Sequence, residues 1–241
     1  MKKYIIPVLA AVLAATQPVK AEEKELELTG SAQTTLVSKY ITDSGTPLGE
    51  GPVSQNVVGL NLGPLTGFVW GGYDFGINDW SEIDYGLSLN FPIFQGKDHN
   101  LEGTLKYKRF TYPGMGWNSD NVGVVGVSYN GIVNVKLQLH HLFETSTTET
   151  GDRIWGRIDK PVLVYQVGDL SVKLNPHLTA AHHYNFFGRE GLGHITPGVA
   201  IQLTKGRFTL EASVEQQLSI ADEIKQEDVD TYGGISLGVN F

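Results

Sequence analysis

The chain has 241 residues, with 18 Lys and Arg against 26 Asp and Glu, and no cysteine. The acidic balance argues against a nucleic-acid partner, and the lack of cysteine excludes a disulfide scaffold, a thiolate metal site and a lipid anchor on cysteine. Hydrophobic residues make up 41%, and beyond the N-terminal region no apolar run reaches the length of about 18 residues that a spanning helix needs, which excludes a helical inner-membrane protein.

The opening Met1-Lys-Lys-Tyr-Ile-Ile-Pro-Val-Leu-Ala-Ala-Val-Leu-Ala-Ala is a basic start followed by a short apolar stretch, and Val19-Lys20-Ala21 offers small residues for cleavage. Residues 1–21 therefore read as a secretory signal peptide. Without its three lysines and no acids, the formal charge moves from −8 to about −11. Residues 22–30 are expected to be a periplasmic N-terminal segment and residues 31–241 a β-barrel in the outer membrane of a Gram-negative bacterium.

From residue 31 onward apolar and polar residues alternate with period two, punctuated by Gly, Asn, Asp and Pro. The pattern predicts about twelve antiparallel strands, near 31–40, 54–62, 65–75, 82–91, 100–110, 121–129, 132–143, 155–167, 169–184, 194–204, 207–218 and 230–241. Gly63-Pro64, Asn130-Gly131, Gly168-Asp169 and Lys205-Gly206 are tight-turn chemistry. Between them lie longer polar or Gly-rich stretches at Thr111–Asp120, Glu144–Ile154, Asn185–Gly193 and Ser219–Val229. Short turns at one end and long loops at the other are the transmembrane barrel layout. Two connections break the rhythm: 76–81 is short where a loop is expected, and 92–99 is long where a turn is expected.

The alternation assigns faces. Val133, Val135, Leu137, Leu139 and Phe143 share one side of their strand, against Asn134, Lys136, Gln138 and His140. Leu170, Val172, Leu174 and Leu178 oppose Ser171, Lys173, Asn175, His177 and Thr179. Phe208, Leu210, Ala212 and Val214 oppose Thr209, Glu211, Ser213 and Glu215, and the last strand sets Ile235, Leu237, Val239 and Phe241 against small or polar residues. Apolar faces go to lipid and polar ones to the lumen. Phe91, Phe110, Tyr129, Phe143, Trp155, Phe208 and Phe241, near strand ends, are expected in interfacial aromatic girdles. Arg157-Ile-Asp159-Lys160 would put charge near lipid unless it lies above the bilayer.

Three segments resemble a known family: Ser38-Lys-Tyr-Ile-Thr-Asp-Ser-Gly45, then Gly67-Phe-Val-Trp-Gly-Gly-Tyr-Asp-Phe-Gly76 leading to Glu82-Ile-Asp-Tyr-Gly-Leu87, and Phe110-Thr-Tyr-Pro-Gly114. They are similar to the TorF (Gcw_chp) family of proteobacterial porin-like proteins. The likeness covers roughly residues 31–130, and the C-terminal half only by general barrel pattern. Where the family often has Arg-Gly after the aromatic of the first loop, this chain has Thr42-Asp43-Ser44-Gly45. The resemblance implies an outer-membrane barrel and transfers no catalytic residue.

Two histidine pairs, His140-His141 and His182-His183, fall near strand ends on the long-loop side. Neighbours on a strand point to opposite faces, so His140 and His183 are assigned to the lumen, roughly 10 Å apart with one strand between them. A shared metal would need long rotamers or a third ligand; pore-lining polar residues are the preferred reading, and no metal, cofactor or catalytic residue is assigned. A lipid hydrolase would need Ser beside His on the outer rim, for which His141 or His182 with Ser146 is the candidate set. The expected pore lining is Glu82, Asp84, Glu102, Lys106, Lys108, Lys136, His140, Lys173, His177, His183, Glu211 and Glu215, with base and acid on different strands and hence a transverse field. Twelve strands tilted about 40° give a backbone diameter of roughly 24 Å and a passage on the order of 10 Å.

The expected function is a porin-like channel for passive diffusion of small hydrophilic solutes, not an enzyme. The alternatives are a barrel enzyme acting on lipid, and a closed barrel that is structural or adhesive. Expected partners are outer-membrane lipids, small hydrophilic solutes, and the barrel-assembly machinery through the C-terminal strand ending at Phe241.

Overall fold

The computed structural model of the protein describes residues 27–41, 47–48, 51–145, 148–219 and 230–241. The signal peptide expected at 1–21 and most of the loop expected at 219–229 lie outside the described residues. Fifteen strands follow in order: β1 (Leu28–Val37), β2 (Tyr40–Ile41), β3 (Pro47–Leu48), β4 (Val53–Leu62), β5 (Leu65–Asp74), β6 (Asp79–Gln95), β7 (Asn100–Tyr112), β8 (Trp117–Asn130), β9 (Asn134–Leu142), β10 (Gly151–Asp159), β11 (Val162–Val167), β12 (Leu170–Phe186), β13 (Arg189–Lys205), β14 (Phe208–Ser219) and β15 (Asp230–Asn240).

All pairings are antiparallel, and the sheet closes on itself. β1 pairs with β4 on one side and β15 on the other, and β10 bridges β9 and β12. β2 and β3 form a small separate hairpin within the first long connection. β10 and β11 share one barrel position, since both pair with β12. The expected single strand at 155–167 is thus split. Pro161 sits at the break, where it has no N–H to give a ladder. Counting that pair once and leaving out the loop hairpin gives twelve positions. Closure removes every sheet edge along the paired span, which is what a strand needs when no water is available to satisfy its backbone.

The two irregular connections now have explanations. Phe75–Asn78 is a tight hairpin tip with Asn78 at φ 56°, and β6 runs on past Pro92 through a bulge to Gln95. The stretches expected as long loops at 111–120 and 185–193 are mostly strand, since β7, β8, β12 and β13 extend beyond their neighbours. Polar composition marks these extensions because they rise out of hydrocarbon, and it reads as loop for that reason. β1 likewise begins at Leu28, inside the segment expected to precede the barrel. At the opposite rim the tight turns hold: Gly63 and Gly206 take φ near +57°, which a side-chain-bearing residue resists.

The outer surface is apolar around the whole barrel. Val58, Leu87, Leu105, Leu137, Leu178, Ile201, Leu210 and Leu237 are all exposed, Leu137 at 50% and Ile201 at 55%. Their sequence neighbours Ser88, Gln138, His177 and Ser236 are buried on the inner face. A water-soluble protein does not present such a continuous apolar band. Leu137→Arg should therefore cost about 2–4 kcal/mol near the bilayer midplane. Urea unfolding of the lipid-inserted barrel measures this, and a value near zero would mean that Leu137 does not face hydrocarbon.

Of the seven expected girdle aromatics, Phe91, Tyr129, Phe143, Phe208 and Phe241 share the outer face. Phe110 and Trp155 do not. Phe110 is 3% exposed and lies in phase with Lys106 and Lys108, and Trp155 in phase with Arg153 and Arg157, on the inner wall. Arg157 and Asp159 face inward as well, 3.5 Å apart, and Asp159 accepts a hydrogen bond from Asn134. Ile158 between them is the outward residue, 51% exposed, so Arg157 and Asp159 are in the lumen, while Lys160, just past the end of β10, is exposed.

Candidate functional site in the barrel lumen

Strand pairing places the lumenal side chains in rows. Lys106 on β7 pairs with Val124 on β8, Val124 with His140 on β9, His140 with Arg153 on β10, and Arg153 with His183 on β12. The two expected lumenal histidines are thus the flanks of an arginine, itself 2% exposed. Arg153 Nη2 donates to His140 Nδ1 at 3.0 Å, and His140 Nε2 lies 3.2 Å from Gln138 Oε1, a pairing that places the imidazole proton on Nε2. A cation between the two rings is the opposite of what a shared metal requires. Among the described residues no group of three or more His, Cys, Asp or Glu could hold a metal ion.

Four lumenal cations lie over aromatic faces. Lys106 Nζ is 5.2 Å from the Phe68 ring centre, Lys108 Nζ 4.5 Å from Phe110, Lys136 Nζ 5.9 Å from Trp155, and the Arg153 guanidinium 5.0 Å from Phe186. Each ring offers the negative face of its quadrupole to the cation. Lys136 also stands opposite Arg157 across the β9–β10 ladder. The basic wall so formed spans β7 to β10 and continues to Lys173 on β12.

Acid gathers mainly on β6 and β14. On β6, Glu82 and Asp84 are nearly buried, and the Tyr40 hydroxyl donates to Glu82 Oε2 at 2.6 Å. On β14, Glu215 accepts a hydrogen bond from Tyr232 at 2.8 Å and lies 3.5 Å from His177 Nε2, while Glu211 accepts one from Gln202. Glu102 stands toward the periplasmic mouth of β7, opposite Ser128. Glu102 shares β7 with Lys106 and Lys108, so acid and base are not divided cleanly by strand.

The extracellular half of the lumen is filled from two directions. Tyr40, carried inward by the first connection, packs on Trp70 with ring centres 5.5 Å apart and joins Val37, Val53 and Met115. From the other side comes the β12–β13 hairpin tip. A bulge at Asn185, with φ 53°, shifts the phase of β12 so that Phe186 turns inward where Tyr184 turns outward. Phe187 follows at φ 54°, an unusual backbone region for an aromatic. Gly151 on β10 permits the approach, because a Cβ there would run into the Asn185 carbonyl and the Phe186 Cα. Phe186 is fully buried among Phe110, Val122, Val124 and Leu142, and Phe187 meets Phe110 edge-on at 6.4 Å. Since β8, β9 and β10 separate β7 from β12, that contact crosses the inner space. Sequence periodicity did not find this plug; the one available signal was Phe186-Phe187-Gly188 at a hairpin tip, too apolar for a solvated loop.

On the outer rim His141 Nδ1 lies 2.9 Å from Asp152 Oδ1, and Phe143 packs edge-on against the imidazole at 4.9 Å. His182 also faces outward, 4.5 Å from the Tyr184 ring. Phe143, just past the end of β9, is thus the aromatic neighbour of His141. Ser146 lies outside the described residues.

No family model matches the chain, and no curated protein does. Solved structures match at low identity. The β domain of the Bordetella autotransporter BrkA is 11% identical with a TM-score of 0.50, covering 89% of this chain and 98% of that one. The NanC porin is 10% identical with a TM-score of 0.47 over 87% and 98% of the two chains. The translocator domain of the autotransporter NalP from Neisseria meningitidis is 13% identical with a TM-score of 0.46 over 98% and 95%. At such identities the likeness is one of fold. Closed antiparallel pairing, the apolar outer band and a polar interior define the class: the chain is an outer-membrane β-barrel of twelve strands.

Proposed function

We propose that this barrel is a channel for passive diffusion of small hydrophilic solutes across the bacterial outer membrane, with no chemistry of its own. One observation carries the reading. Charged and polar side chains from β6, β7, β9, β10, β12 and β14 converge on the interior of a barrel whose exterior is apolar. Placing that many ionisable groups inside is costly unless water shares the space. The resemblance to the TorF family supports the same reading. Inward packing of Tyr40 and of the Phe186–Phe187 tip narrows the passage, so the unitary current should be small. Purified full-length protein in a planar bilayer tests this: steady, stepwise ion current is expected, and its absence from protein whose folded state is verified by heat-modifiable gel migration would overturn the channel.

The barrel-assembly machinery is the partner proposed for the C-terminal strand. Phe241 is 59% exposed on the outer face and exchanges backbone hydrogen bonds with Gly30 at 2.9 and 2.6 Å, so it stands at the seam that closes the barrel. Deleting Phe241 should lower the folded fraction recovered in outer membranes several-fold. Recovery equal to wild type would remove the role.

A further inference from the structure

We infer that the β12–β13 hairpin tip is an acid-released gate, held across the lumen at neutral pH by the uncharged imidazole of His183 and freed when that ring takes up a proton. The ring is fully buried, and among the described residues neither of its nitrogens has a hydrogen-bond partner. It is packed as an apolar ring would be. Phe186 lies against it with ring centres 5.8 Å apart and His194 at 6.4 Å, and its edge rests over Gly193, where a Cβ would overlap Cδ2 and Nε2. His183 is thus one side of the packing that keeps Phe186 in the lumen.

A charge on this ring would have neither water nor an acceptor, and its surroundings add repulsion. Arg153 stands directly opposite on β10, with His140 on that arginine's other side, while His194 and Arg189 come from β13 and His182 precedes the ring on β12. The groups whose charge acts on it, Arg153, His194, Arg189 and His182, are all basic. The acids nearest in register, Asp152 and Glu190, pair with Tyr184 and face outward with it. Protonation therefore requires a hydrated ring, and hydration requires the tip to leave. The plugged state keeps its stability above the ordinary histidine value of about 6.5 and loses it as pH falls below that. The backbone allows the tip to move as a unit. Pairing between β12 and β13 shifts register between Ala181 and His182 and again between Tyr184 and Phe186, so two breaks in the ladder bracket His183. The inference rests on the channel reading, since a gate needs a passage to close.

The test is planar-bilayer recording of the full-length protein at about pH 7.5 and about pH 5.5, on either side of the ordinary histidine value. Acidification should raise the wild-type unitary conductance several-fold. In H183F a ring of similar size stays in place without a proton site, and in H183Q a neutral amide does, so in both the ratio of acid to neutral conductance should fall to about one. The double variant F186A/F187A lacks the plug from the start, and its ratio should also be about one. Heat-modifiable gel migration verifies that each variant is folded at both pH values. Steady wild-type current that ignores pH sinks the gate and leaves the channel standing, whereas no current at either pH overturns both. An acid response that survives in H183F and H183Q would move the proton to another group and overturn the role of His183. One that survives in F186A/F187A would mean that the tip is not the moving part.

Discussion

Replacing Phe186 and Phe187 with alanine should raise the unitary conductance several-fold, the largest change expected from any substitution in the lumen. Phe186 is fully buried and packs against His140, His183, Arg153 and Phe187, while Phe187 reaches Phe110 on the far side of three intervening strands. Truncating both removes the only side chains of the β12–β13 tip described as spanning the interior, and the space they leave adjoins lysine, histidine and arginine, so water fills it. Loss of a buried phenylalanine usually costs about 3–5 kcal/mol in a soluble core, but the ladders that close the barrel are untouched and the folded state should survive. Planar-bilayer recording checks the result. A conductance equal to wild type would mean that ions pass by another route, along the acidic side between β14 and β6. Gly151→Ala is a milder perturbation of the same tip, since its methyl group would meet the Asn185 carbonyl and the Phe186 Cα and force the hairpin tip to shift.

How far the sequence foretold this interior can be followed residue by residue. The lipid-facing alternation of β9, β12, β13, β14 and β15 was plain, because each strand there carries four or more apolar residues on one side. Lumenal His140 and His183 followed from parity alone. Arg153 did not, because the loop after Phe143 seemed to extend to Ile154, and the polar residues that made it look like loop are the inner face of a strand standing above the membrane. Phe110 and Trp155 were assigned to girdles from their position near strand ends, although their phase, shared with Lys108 and Arg153, points inward. Phase outranks position: an aromatic in register with lumenal cations is a platform for them. Phe186 required the opposite correction, since simple alternation from Tyr184 would place it on lipid and only the bulge at Asn185 turns it in. Bulges and inward-folding loops depend on contacts between distant strands, and period-two patterning carries no record of those.

Reversing the three lysines of the basic wall, K106E/K108E/K136E, should displace ion selectivity strongly toward cations. Each substitution changes the local charge by two units, and the three sites lie on β7 and β9 facing the same stretch of lumen. In a narrow, low-dielectric passage opposite charges act over several ångströms with less screening than on an open surface, where the Debye length is about 8 Å at physiological salt. The new carboxylates would also stand beside Asp84 on β6, two strand positions from Val124, extending an acidic surface over more of the wall. Lysine packing over Phe68, Phe110 and Trp155 is lost at the same time, and each exposed contact of that kind is worth about 0.5–1 kcal/mol, too little to unfold a closed barrel. Reversal potentials under a potassium chloride gradient read the outcome, and the displacement should shrink as total salt rises. An unmoved reversal potential at low salt would place Lys106, Lys108 and Lys136 away from the ion path, and with them the wall on which the lumenal site is built.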